Sequence, residues 1–541
     1  MKDRAGSIPF CSRTPRAGFR FRAVLLPTLF LTVFLCACLS GAALPLPHPI
    51  PPPAEDPPPV QKRATVSESA TQSAQQKPAS SASTSSTQQQ SAAQQSSLQQ
   101  PAASSSSAVS TKATSILVNP KPLRDVSGNI IPMNGAYGGG TILLPSTYTP
   151  KPNEFRGIWV TTAYNLDFAK QPTSAEFQTA FRSLAARVAA LGFNTIMFQV
   201  RPNCDAFYKS SINPWSRWLT GEEGRAPDGG FDPLPFMIAE SHRHGLKFYA
   251  WLNPYRIGQT DTAAASAYLK TLSAGNFARR NPGLVARWDN NKTNKSVFFL
   301  DPGRSEVVTH IVATVREILE RYRPDGIVFD DYFYPDGCDT ACDAATFRKY
   351  AGKNQDLGDW RRANTELLVR SVAGTVRAFN KLNGTSIPFG VSPVGIWANR
   401  SKKMPEGSPT TKGVEAYTQS YTDVRKWVKN SWIDFVIPQV NWGFANSRAP
   451  FAGIVNWWAD QVRGTKVNLY IGIGIYQGGV AAGMESPSEL SNQVLYLILR
   501  REVSGTAFFP ARHCFNPENN AQRTSLRTIF NSYWRAAPPS K

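Results

Sequence analysis

Two adjacent carboxylates, Asp330 and Asp331, follow directly on the apolar residues 327–329. Gly326 precedes the run, and an aromatic cluster ending in Pro335 follows the acids. The run reads as a short buried strand, and a buried strand with acids at its carboxyl end is how barrel and open α/β enzymes present catalytic groups. Acids abutting such a strand are costly unless paired or used. Aromatic rings beside them suit sugars, whose C–H faces stack on rings while carboxyl groups protonate or attack the glycosidic bond. A helix-to-loop turn carrying two solvated acids is the plainer alternative.

Hydrolysis of a glycosidic bond calls on two carboxyl groups, one protonating the leaving oxygen and one attacking or activating water. Successive side chains of a strand point to opposite faces, so Asp330 and Asp331 need not flank one bond. Three schemes stay open. In the first, one of the pair is nucleophile or base and another loop supplies the acid, with Asp205, Glu222, Glu223, Glu415 and Asp423 as candidates. In the second, the N-acetyl group of an amino sugar attacks while one Asp steers it and the other donates the proton. In the third, a single acid carries out a non-hydrolytic cleavage. Candidate substrate-binding residues stand at or just past other strand ends: Arg201, Asn253, Tyr255, Arg256, Tyr332, Tyr334, Gln439 and Trp442. Each has a structural alternative: a buried ion pair for Arg201, a tether on the neighbouring Asp for Asn253, plain packing for the rings. Trp215 and Trp218 are candidates to extend a groove. Metal-assisted hydrolysis ranks last, because the 5 His residues offer no ligand spacing, and no cofactor is expected.

Placing such groups together requires a scaffold that gathers many strand ends on one face. Strand-like runs recur at 156–162, 195–201, 247–253, 326–330, 388–394, 435–441, 467–476 and 505–510. Most are continuously apolar, as expected of strands covered on both faces. Helical patterns lie between them. Thr173 and Glu176 form a capping box ahead of Phe177, Phe181, Leu184, Val188 and Leu191, spaced by three and four. Asp232-Pro233, Asp301-Pro302 and Ser486-Pro487 open further helices. Strand and helix alternating eight times is the form of a (β/α)8 TIM barrel, an α/β fold. A doubly wound open sheet is the rival, but no Gly-rich phosphate loop follows the first run. Long inserts at 259–296 and 337–360 would wall the site.

The preceding residues are of another kind. Residues 1–22 are basic and 23–39 apolar, the two parts of a secretory signal. The apolar run ends Leu35-Cys36-Ala37-Cys38, which resembles a bacterial lipobox with Cys38 lipidated; cleavage after Ala43 is the alternative. Residues 39–114 are rich in Pro, then Ser, Ala, Gln and Thr, and are expected to be a disordered linker. A tether of about 70 such residues spans roughly 5–6 Å × √n, or about 45 Å. Residues 115–150 make a short pre-barrel segment and 151–535 the barrel. The expected location is the cell envelope, lipid-anchored at the periplasmic face of a membrane, or alternatively secreted. The net charge of +21 predicts attraction to polyanions. With no nucleic-acid recognition motif, an acidic envelope polymer or a membrane surface is the expected partner, and nucleic acid is not. Of 7 cysteines, Cys204, Cys338, Cys342 and Cys514 remain once the signal and Cys38 are set aside. Cys338 and Cys342 share one loop and a local disulfide is open to them; Cys204 and Cys514 pair or stay free.

The strand ends then become recognisable. The stretches EFRGIWVTT (154–162), LGFNTIMFQVRP (191–202), DAFYKSSINPWSRWLTG (205–221), FDPLPFMIAESHRHGLKFYAWLNPYR (231–256), LDPG (300–303), DGIVFDDYFYP (325–335), FGVSPVGIWANR (389–400), SYTDVRKWVKNSWIDFVIPQVNW (420–442) and LYIGIGIY (469–476) resemble the bacterial glycosyl hydrolase-like family ten. The resemblance implies an envelope or secreted barrel glycosidase acting on peptidoglycan glycan strands. A barrel that keeps its cleft only to bind carbohydrate is the alternative. The sixth run departs from the family, ending Gln439-Val440-Asn441-Trp442 where Ile-Tyr-Trp is more usual, a change expected to alter substrate contacts at Asn441.

Overall fold

The computed structural model describes residues 120–133 and 139–535. The signal, Cys38 and the linker lie outside the described residues.

Eight parallel strands close into a barrel: β1 (Phe155–Val160), β2 (Thr195–Arg201), β3 (Lys247–Leu252), β4 (Gly326–Phe329), β5 (Phe389–Val391), β6 (Phe435–Val436), β7 (Asn468–Gly474) and β8 (Val503–Phe509). Each pairs with the next in sequence, and β8 closes on β1. Helices Ser174–Ala190, Pro233–Arg243, Ser305–Tyr322, Leu357–Asn383, Phe451–Val462 and Glu489–Leu497 are among those between strands. The Thr173–Glu176 capping box forms as read. β5 and β6 are shorter than their apolar runs. Pro393 and Pro438 lack the N–H a ladder needs, and beyond them only isolated bridges such as Val394 to Gln439 remain.

Side chains fill the barrel with a period of two. Phe155, Trp159, Met197, Tyr249, Trp251, Val328, Phe435, Ile437 and Ala507 form one interior cluster. Large residues face small ones. A Cβ on Gly326 would meet the Tyr249 ring at 2.7 Å, and one on Gly390 the Phe435 ring at 2.4 Å. Phe155 stacks on Tyr470 with centroids 4.0 Å apart. This aromatic plug fills the amino-terminal half of the barrel.

The insert after β3 contains a three-stranded antiparallel sheet, Arg256–Asp261, Lys295–Leu300 and Val285–Asn290, which the sequence reading missed. The segment before β1 folds back as a two-stranded ladder, Lys121–Pro122 with Leu143–Leu144. Its Leu123, Ile131, Ile142 and Leu144 join the main hydrophobic core.

Candidate active site

An open cavity is lined by Trp159, Thr161, Gln199, Trp251, Arg256, Asp330, Asp331, Ser392, Gln439, Asn441, Gly472, Ile473 and Phe509. These residues come from the carboxyl ends of the strands or just beyond, where barrel enzymes place their chemistry.

Asp330 continues the inward parity of Gly326 and Val328. Asp331, one residue on, would face outward if the strand continued. The strand stops instead. The Tyr332 N–H donates to Asp330 Oδ1 (3.1 Å), an Asx turn that swings the chain and brings Asp331 to the same cavity. Asp330 is buried, 6% exposed, whereas Asp331 keeps part of its surface open.

The two acids have unequal surroundings. A relay of amides holds Asp330. The backbone N–H groups of Thr162 and Ala163 donate to Gln199 Oε1 (3.0 and 2.9 Å), and Gln199 Nε2 donates to Asn253 Oδ1 (2.6 Å). Asn253 Nδ2 then donates to Asp330 Oδ2 (2.5 Å). The Arg256 guanidinium stands 3.9 Å from the same oxygen. Burial raises the Asp330 pKa, while Arg256, the Tyr332 N–H and Asn253 pull it back. Asp331 has weaker support, chiefly from the Gln439 amide. Burial, with the charges of Asp330 and Asp336, pushes it up to about 8. A proton shared by the pair therefore resides mainly on Asp331, because the donors that favour a carboxylate converge on Asp330. Asp336 stands half-buried in the same loop, its pKa pushed to about 6 by burial.

Gln439 and Arg256 line the cavity as the sequence suggested, and Asn441 joins them. Tyr332 lies beside it, under the Arg256 guanidinium, 4.5 Å from ring centre to Cζ. Asn253 is fully buried and positions Asp330.

Other candidates lie elsewhere. Arg201 is fully buried behind the wall, donating to the carbonyls of Asn253 and Pro254 (2.6 and 3.1 Å). Gln199 keeps the inward parity of Met197, and a register shift just past it takes Arg201 out of that row. Tyr255 and Tyr334 are core residues, packed on Phe333 and on Tyr421. Trp442 is 7% exposed and lies against Gly395 and Gly413, so it offers no platform.

Neither proposed second acid lines the cavity. Asp205 is buried after β2, accepting from the Asn203 N–H (2.8 Å), with its pKa pushed to about 7 by burial. Asp423 caps helix Val424–Lys429 and accepts from Trp397 Nε1 (3.1 Å). Glu222 is exposed, Glu223 is bound to Asn276 (2.7 Å), and Glu415 accepts from Asn399 and Thr418. The cavity's aromatic wall, Trp159, Trp251 and Phe509, went unread. They continue, at a period of two, the inward rows of Phe155, Tyr249 and Ala507.

Cys338 and Cys342 form a disulfide in the loop after β4, while Cys204 and Cys514 are free and buried. Among the described residues no group of three His, Cys, Asp or Glu side chains converges to hold a metal ion.

A closed parallel barrel whose fourth strand delivers paired carboxyls into an aromatic-walled cavity belongs to the barrel glycoside hydrolases. A family model described as glycosyl hydrolase-like 10 matches residues 154–488. The chain is 36% identical over 408 residues to the glycosyl hydrolase DigH of Escherichia coli strain K12, covering 72% of this chain and 90% of DigH. It is 35% identical over 330 residues to the glycosyl hydrolase YngK of Bacillus subtilis, covering 60% of this chain and 61% of YngK. A solved structure, the PgaB (BpsB) glycoside hydrolase domain from Bordetella bronchiseptica, aligns at a TM-score of 0.47 and 14% identity over 71% of this chain and 99% of that domain. The chain belongs to the glycosyl hydrolase-like 10 family and is a glycosyl hydrolase-like enzyme.

Proposed function

We propose that this enzyme hydrolyses a cell-envelope polysaccharide, the glycan strands of peptidoglycan, with Asp331 as proton donor. One observation carries the reading: among the residues lining the cavity Asp330 and Asp331 are the acids, and their environments push the proton onto Asp331. Paired carboxyls with separated roles are the mark of acid and base assignments in one site.

With no other carboxyl in the lining, the sugar's own acetamido group is the fitting nucleophile. Asp331 protonates the glycosidic oxygen as the acetamido oxygen closes on the anomeric carbon. Asp330, kept anionic by Asn253, Arg256 and the Tyr332 N–H, accepts from the acetamido N–H and balances the developing positive charge. Water then opens the cyclic intermediate, with Asp331 returning as base and the anomer retained. Trp159, Trp251, Ile473 and Phe509 offer the apolar wall an acetamido methyl needs. A net charge of +21 suits an acidic envelope polymer. Export and lipidation at Cys38, with the low-complexity linker as tether, complete the proposal.

The test is digestion of purified sacculi by wild type and by Asp331→Asn, with released fragments identified by mass. Glycan fragments from the wild type that disappear with the variant are expected. Co-sedimentation with sacculi and no release, unchanged by the substitution, would instead make the barrel a binding module.

A further inference from the structure

At the rim formed by the loops after β1, β2 and β3, two rings stand together outside the cavity lining. Tyr164 and Trp218 have centroids 4.8 Å apart and planes tilted by 41°. Tyr164 takes a left-handed backbone (φ 55°, ψ 16°), and so does Asn165 after it (φ 52°). Large residues rarely adopt this conformation, and it persists where the surroundings over-determine it. Here they do. Asn165 gives its amide to the carbonyls of Phe168 (3.1 Å) and Trp218 (2.7 Å). The Trp218 indole N–H donates to Asn203 Oδ1 (2.9 Å), and the Asn203 amide donates to the Ile257 carbonyl (2.9 Å). Three loops are thereby tied around one pair of rings.

The pair is linked to the cavity through Ile257, next in sequence to Arg256. Arg256 lines the cavity, covers the Tyr332 ring and lies within electrostatic reach of the Tyr164 hydroxyl. Tyr164 and Tyr332 also lie within reach of each other. Tyr255 and Tyr334, by contrast, are buried in the core. Tyr164, Trp218 and Tyr332 each keep exposed surface.

We infer that Tyr164 and Trp218, with Tyr332 and Arg256 beside them, form a second saccharide subsite at the rim, which holds units of a glycan chain outside the cavity. The inference rests on the glycosidase reading and extends it from a single sugar to a polymer. The rings present faces to the C–H surfaces of pyranoses, while Arg256 offers donors to ring substituents. Such a subsite makes the enzyme favour long strands over short ones.

The probe is a set of β-1,4-linked N-acetylglucosamine oligomers, a soluble stand-in for the glycan strand. Binding is measured by calorimetry with the Asp331→Asn variant, where turnover does not interfere. The hexamer is expected to bind about tenfold more tightly than the dimer, ~1.4 kcal/mol. Adding Tyr164→Ala or Trp218→Ala is expected to erase that preference while dimer affinity, which reports an intact cavity, stays unchanged. Tyr164→Phe keeps the ring and is expected to keep the preference. Equal affinities for hexamer and dimer in the parent, no binding of either, or a preference that survives both alanine substitutions together overturns the subsite. Sacculus digestion by the wild type is scored separately, so the catalytic reading and the subsite fail independently.

Discussion

Asp331 and Asp343 stand in the stretch after β4, yet their surroundings differ in kind. Asp343 is 3% exposed and meets Arg361 as a fork: Arg361 Nε donates to Oδ2 (2.7 Å) and Nη2 to Oδ1. The same guanidinium donates to the Asp339 carbonyl (2.8 Å) and lies over the Tyr334 and Tyr421 rings, 4.9 and 5.2 Å from their centres. Next to this pair, the Cys338–Cys342 disulfide staples the loop. Among the described residues no cation pairs with Asp331, and it faces two other acids. The Asp343 carboxyl is buried, saturated and structural. The other is left short of partners, which costs stability and leaves a proton ready for transfer.

The largest effect expected from breaking this contrast is at Asp331. Asp331→Asn is expected to lower kcat by about 10³-fold, within the range for a lost general acid, with KM nearly unchanged, measured on solubilised glycan. The same variant is expected to be more stable. A folded pKa of about 8 lies above the ordinary carboxyl value. The native state therefore binds more protons than the unfolded one between those values, and stability falls as pH rises through that window. The gain from Asn should thus be greatest above pH 8, at about 1 kcal/mol, read from urea midpoints.

At the saturated acid the expectation reverses. Arg361→Ala should cost about 3–5 kcal/mol of stability by stranding a buried charge, whereas Arg361→Met combined with Asp343→Leu should recover most of it. Next comes the relay behind Asp330. Asn253→Ala removes a donor from the carboxylate, so kcat should drop about 100-fold and the acidic limb of the pH profile should move upward. The smallest effect is the staple. Replacing Cys338 and Cys342 by Ser should cost about 2 kcal/mol for so short a loop, seen as a lower thermal midpoint without a change in the pH profile.

The contrast also explains what was legible beforehand. Continuous apolar runs located all eight barrel strands, because strands covered on both faces leave no polar alternation to confuse them. Pro393 and Pro438 cut β5 and β6 short of those runs. The inserted sheet escaped because its strands Arg256–Asp261 and Val285–Asn290 are polar and partly exposed, with no buried face to mark a period. The Asp pair was visible because two acids against an apolar run are conspicuous in one dimension. Telling Asp331 from Asp343, Asp205 and Asp423 was not possible in that way, since the difference lies in partners supplied by distant elements: Arg361, the Asn203 N–H and Trp397. Likewise Arg201 leaves the inward row of Met197 and Gln199 through a register shift that no local pattern announces.

Whether Asp331 carries the transferable proton is read from the pH dependence of kcat/KM. The wild type should show an alkaline limb near pH 8, as the acid loses its proton, and Asp331→Asn should lose that limb together with nearly all activity. A profile that stays level well beyond pH 8, or an unaltered limb in the variant, would contradict it.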